Sequence, residues 1–151
     1  MKADLSFLDR SVQDRLSRLC RRYIRVAFVY LVLGLLLGVG MLAFGNDNFR
    51  FLHVHMLLVG FVLFLIYGIG YKLLPTMFFG LPRVERIGWA EGQFWLANVG
   101  LLGMLVGAMM PVGLGLDRIA ILFGIVEAAA GILFVWLMGE TLRQGAEKGP
   151  G

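Results

Sequence analysis

The two histidines of the chain, His53 and His55, stand two positions apart in "FRFLHVHMLLVGF", where a polar hairpin gives way to an apolar run. Imidazole is the commonest metal ligand among side chains, so the pair raises iron or copper chemistry first. On an α-helix, residues two apart point about 200° away from each other. One regular helix therefore cannot bring both rings to the same metal ion, and each histidine faces its own neighbours. Below His53 the face reads Leu57, Gly60, Phe64, Gly68 and Tyr71, notched by glycine and aromatic. Below His55 it reads Val59, Val62, Ile66, Ile69 and Leu73, uniformly aliphatic and suited to lipid or flat helix packing. A large planar ligand needs the notched face, which makes His53 the ligand candidate, with Arg50 three residues before it on the same side; the competing role is a histidine at a helix mouth, hydrogen-bonded to a neighbouring carbonyl.

The elements that must position these residues are membrane helices. Of the 151 residues, 59% are hydrophobic and 16% charged, whereas soluble domains hold about 45–50% apolar and about 25% charged residues. The sequence predicts an all-α fold: one integral membrane domain, a four-helix bundle preceded by an N-terminal amphipathic helix over residues 1–25. Spans are expected at 26–44, 51–74, 88–111 and 119–139, each near the roughly 20 residues that a bilayer requires, with a tail at 140–151. Leu5, Leu8, Val12, Leu16 and Leu19 recur at three- and four-residue steps among charges, as in a helix lying on the membrane surface. The N-terminal arginines, the hairpin carrying Lys72, Arg83 and Arg86, and the tail carrying Arg143 and Lys148 put both termini in the cytoplasm by the positive-inside rule. His53 and His55 then lie toward the outer face. The basic balance is a topology signal and does not point to nucleic acid.

Glycine is abundant at 21 residues; small residues let helix backbones approach closely where lipid gives no hydrophobic drive to association. Gly34 and Gly38 form a GxxxG pair, and Gly100, Gly103 and Gly107 line the third span. Trp89, Trp95 and Trp136 fall toward the cytoplasmic side as an interfacial belt. The single Cys20 cannot form an intrachain disulfide and reads as a reduced, inert thiol. The closing "KGPG" should fray.

"LHVHMLLVGF" resembles the start of the second helix of subunit I in the haem–copper oxidase superfamily, particularly its nitric oxide reductase branch. "GIGYKLLPTMFFG" is similar to that family's Gly-x-Gly, aromatic, apolar-apolar-Pro signature, and "GQFWLANVGLL" resembles the start of its next helix. The likeness covers Phe49–Leu102. It implies that His53 is an axial ligand to a low-spin haem b near the outer face of a prokaryotic-type cytoplasmic membrane. The family's second haem ligand and its active-site haem and copper ligands lie on later helices that have no counterpart here. With two histidines the chain cannot build an oxygen- or nitric-oxide-reducing centre, so the resemblance implies electron transfer or diatomic-gas binding rather than an oxidase.

A sixth ligand to such an iron has two sources. Met41, Met109 and Met110 fall at about the depth of His53, and histidine–methionine ligation is an established solution. Alternatively, His53 or His55 of a second copy completes the sphere in a homodimer or higher homo-oligomer, the arrangement a four-helix unit with little interior favours. Arg50 and Arg118 suit haem propionates, since guanidinium bonds carboxylate with two prongs; the competing role for both is interfacial snorkelling. Gly60 is the notch on the His53 face. A different chemistry reads His53, His55, Met41, Met56, Met109 and Met110 as an outer copper(I) cluster, in a protein that delivers copper to a respiratory-chain partner. A third reading is a cofactor-free accessory subunit.

Two polar residues fall mid-span, Asn98 in the third and Glu127 in the fourth. The spans run antiparallel, so the two share a depth and are expected to hydrogen-bond, with a protonated Glu127 fastening the helices. Proton transfer is the alternative role. Glu91 is expected to be solvated. No nucleophile–base pairing, phosphate loop or carboxylate pair suggests hydrolytic or transferase chemistry, and no catalytic residue is assigned.

Overall fold

The computed structural model describes residues 2–79, 84, 86–110 and 117–148. The hairpin residue Arg83, the end of the third span at residue 111 and the glycine–proline tail lie outside them. All regular structure among the described residues is helical: α1 (Lys2–Phe44), a 3₁₀ turn (Asp47–Phe49), α2 (Arg50–His55), a π-helical segment (Met56–Leu63), α3 (Phe64–Phe79), α4 (Ile87–Ala108) and α5 (Asp117–Lys148). The turn, α2, the π segment and α3 run on as one rod. Three stretches are long and apolar enough to cross a membrane: Ser11–Phe44, Asp47–Phe78 and Arg118–Gln144. α4 has the length but not the apolarity, because Glu91, Gln93 and Asn98 dilute it.

The expected separate amphipathic helix is corrected: residues 2–44 form one helix of 43 residues, about 65 Å long at the usual rise. Nothing in the sequence around residues 20–26 breaks it; there is no proline or glycine before Gly34. The apolar stripe of its first half continues into the bundle, where Leu16 and Leu19 are each 1% exposed. The side chains of Leu5 and Leu8 fall outside those described.

α1 ends because Gly45 takes φ +59°, and the Asn46 N–H reaches the Met41 carbonyl at 3.1 Å, a left-handed glycine stop. The Asn46 side chain then accepts from the Asn48 N–H at 2.9 Å, turning the chain into the second rod. α1 packs along that rod, and α4 packs along α5. The two pairs meet around an aromatic core of Tyr23, Phe64, Tyr67, Tyr71, Phe94 and Phe134. Outside, Leu36, Leu42, Phe44, Ile121, Ile132 and Val135 are all more than 60% exposed, an apolar exterior suited to lipid.

Candidate functional site

The π segment begins immediately after His55; such segments are uncommon and often mark functional positions. Ahead of it, α2 aims the two histidines apart, as their spacing requires. The His53 Nδ1–H donates to the Gly34 carbonyl of α1 at 2.8 Å. A carbonyl can only accept, so in the neutral ring Nδ1 carries the proton and Nε2 is left bare. The ring lies on Gly38: a Cβ there would come within 2.6 Å of the His53 Cε1 and 2.9 Å of its Nδ1. The GxxxG pair of α1 is thus the cradle that holds the imidazole. His55 turns outward. Its Nδ1–H donates to the Phe51 carbonyl one turn back at 2.9 Å, and its ring stacks on Phe51 at 3.9 Å between centroids. The face below it is open, with Val62, Ile66, Ile69 and Leu73 exposed.

The notched face is not a slot for a planar ligand. At Gly60 the notch is filled by the Tyr30 ring, which would stand 2.5 Å from an added Cβ. At Gly68 it is filled by Tyr23, whose own Cβ would stand 2.8 Å away. The expectation for Gly60 is corrected accordingly: the glycines of this face admit tyrosines of α1, because two helices without hydrophobic drive between them associate by close packing.

The remaining candidates are dispersed. Arg50 and Arg118 are exposed. Met41 lines a groove of about 310 Å³ at the Phe44 end of α1, with Leu36, Leu37, Gly40, Phe44, Asn46 and Phe49; His53 does not line it. Met109 and Met110 stand exposed where α4 ends. Among the described residues no three His, Cys, Asp or Glu side chains gather as a metal site. The space at the Gly38 and Gly60 notches is taken by the His53 and Tyr30 rings themselves.

The most developed polar network lies deeper and was not anticipated. Gln93 is fully buried. Its Oε1 accepts from the hydroxyl of Tyr23 and, at 3.3 Å, from that of Tyr71. Its Nε2 donates to the Ala130 carbonyl at 3.2 Å. One side chain thus ties α1, α3, α4 and α5 together. The signal was present in the sequence: the four tyrosines fall as Tyr23 and Tyr30, seven apart, and Tyr67 and Tyr71, four apart, which puts each pair on one helix face.

Two polar expectations are corrected. Asn98 does not meet Glu127; its Nδ2 donates to the Phe94 carbonyl of its own helix at 2.7 Å, satisfying itself without crossing to α5. Glu91 is not simply solvated: Arg15 grips it with two bonds, Nη2 to Oε2 at 2.6 Å and Nε to Oε1 at 3.2 Å. At that same end Trp89 and Trp136 sit edge to face at 6.3 Å, with Arg86 over Trp136 at 5.3 Å. Cys20 is a free, buried thiol.

No family model, curated protein or solved structure matches the chain. The likeness to the haem–copper oxidase superfamily receives no support from these comparisons.

Proposed function

We propose that the chain is an integral membrane protein that crosses the bilayer four times and binds haem b, with His53 as an axial ligand to the iron. The observation that carries this reading is the Nδ1–H bond from His53 to the Gly34 carbonyl. A second hydrogen bond of this kind fixes the tautomer and orientation of a ligating imidazole and raises its basicity. The three apolar helices support membrane insertion, and α4, packed along α5, crosses with it. The role is electron transfer, because the histidine that His53 resembles serves a low-spin haem. Haem on the outer flank is shared with a second copy of the chain, whose histidine or methionine fills the sixth position, and a respiratory-chain protein is the redox partner. Both termini lie in the cytoplasm of a prokaryotic-type cell.

A second reading follows from the same ring. His53 is packed against Gly38 as tightly as a core side chain, which is what a cofactor-free subunit would show if His53 only pinned α2 to α1. The visible spectrum of protein produced with ample haem separates the two. A Soret band that is lost in His53→Ala supports ligation. No Soret band favours the pin, and copper bound in stoichiometric amount without haem would make the chain a copper carrier instead. Reduced spectra unchanged by carbon monoxide or nitric oxide support electron transfer over gas binding.

A further inference from the structure

Glu127 is 7% exposed and Tyr67 is 1% exposed, yet among the described residues both Glu127 oxygens and the Tyr67 hydroxyl lack a hydrogen-bond partner. Buried polar groups are nearly always bonded, and an exception needs a reason. The neighbouring hydroxyls show the contrast: Tyr23 and Tyr71 are both committed to Gln93.

The two orphaned groups adjoin. Tyr67 lies over Gly131, where an added Cβ would stand 3.2 Å from its hydroxyl oxygen. Glu127 is one turn earlier on α5, on the same face. From α4, Gly100 presses on Glu127: its Cβ would come within 2.7 Å of the Glu127 backbone nitrogen and 2.9 Å of Oε2. From α1 and α3 the titratable groups facing the carboxyl are Tyr23, Tyr30 and Tyr67. Glu127 thus sits among glycine and phenols, with neither carboxyl oxygen hydrogen-bonded to a basic group.

An ionised carboxylate taken out of water without a partner is so costly that such groups neutralise instead. A neutral carboxyl, by contrast, brings the donor that this pocket lacks. Its O–H and C=O, with the Tyr67 O–H, can satisfy one another directly or through one buried water. We propose that Glu127 and Tyr67 form a buried proton-binding site, the carboxyl of Glu127 holding an exchangeable proton and Tyr67 hydrogen-bonded to it. The site shares no residue with the His53 cradle: Tyr67, Gly100 and Glu127 belong to α3, α4 and α5, whereas the cradle is built by α1 and α2.

Infrared spectroscopy of the purified full-length protein in lipid tests this. At neutral pH the wild type should show a carboxylic-acid C=O band that is lost in Glu127→Gln, shifted in Glu127→Asp, and displaced in Tyr67→Phe as the bond to the phenol disappears. Transfer to D₂O should shift the band, showing that the proton exchanges. Absence of the band at neutral pH overturns the proposal, as does a band that D₂O never moves. A band abolished by sodium or potassium at fixed pH would make this a cation site and overturn it too. A band that Tyr67→Phe leaves unmoved removes Tyr67 from the site.

Discussion

At the scale of single residues, several glycines stand where a neighbouring side chain comes close. Gly38 is the clearest case, since an added methyl would lie 2.6 Å from the His53 ring. Gly38→Ala should force the imidazole to swing and break its bond to Gly34. The expected loss of stability is about 1–3 kcal/mol, the usual cost of overpacking, measured by denaturation in detergent. If His53 ligates haem, the same substitution should also shift or weaken the Soret band. Tyr23→Phe removes one donor to the buried Gln93 and should cost about 0.5–1.5 kcal/mol without moving a Soret band. The divergence of His53 and His55 was legible in the sequence, because a two-residue step on a helix permits nothing else. The Asn98–Glu127 pairing was not legible correctly. Depth alone brought the two together, while Asn98 had a nearer acceptor in its own helix.

At the scale of elements, α4 and α5 touch backbone to backbone. An alanine Cβ at Gly107 would stand 2.5 Å from the Ala120 nitrogen and 2.9 Å from its Cα. Neither atom can yield without moving a helix. Gly92, on the same helix, would meet nothing within 4 Å. Gly107→Ala should therefore destabilise the pair, and Gly92→Ala should stabilise α4 by about 0.5–1 kcal/mol through helix propensity. Equal effects at the two positions would contradict the packing. The glycine stripe of α4 was visible in the spacing of Gly100, Gly103 and Gly107, and its partner was not, because spacing says which face is small and not what lies against it. The continuity of α1 was missed for a related reason. A change from charged to apolar composition marks where a helix meets a membrane, not where it stops, and only Gly45 supplies a stop. The π segment left no mark in the sequence, which is apolar throughout Met56–Leu63.

At the scale of the whole molecule, the apolar exterior is suited to lipid, and the proposed number of crossings turns on α4. Three helices meet the apolar criterion, and in α4 Gln93 is fully buried while Glu91 and Asn98 are half-buried, Glu91 paired with Arg15. A helix that hides its polar groups against its neighbours can cross in company when it would not cross alone. Four crossings put the two ends of the chain on one side, and three put them on opposite sides. Reporter fusions before Met1 and after Gly151 should both report the cytoplasm; a C-terminal reporter on the outer side would contradict the four-span arrangement. The Arg15–Glu91 bond at that same end should weaken with added salt, as partly exposed ion pairs do.

On the proposed reading, the oriented imidazole of His53 ligates haem iron. The most direct measurement is the visible spectrum of the purified protein, produced with ample haem, beside its His53→Ala and His55→Ala variants. Ligation by His53 requires a Soret band in the wild type that disappears in His53→Ala; whether His55→Ala changes it tells if a second copy lends that residue. A wild type without a Soret band, or a band unchanged in His53→Ala, would contradict it.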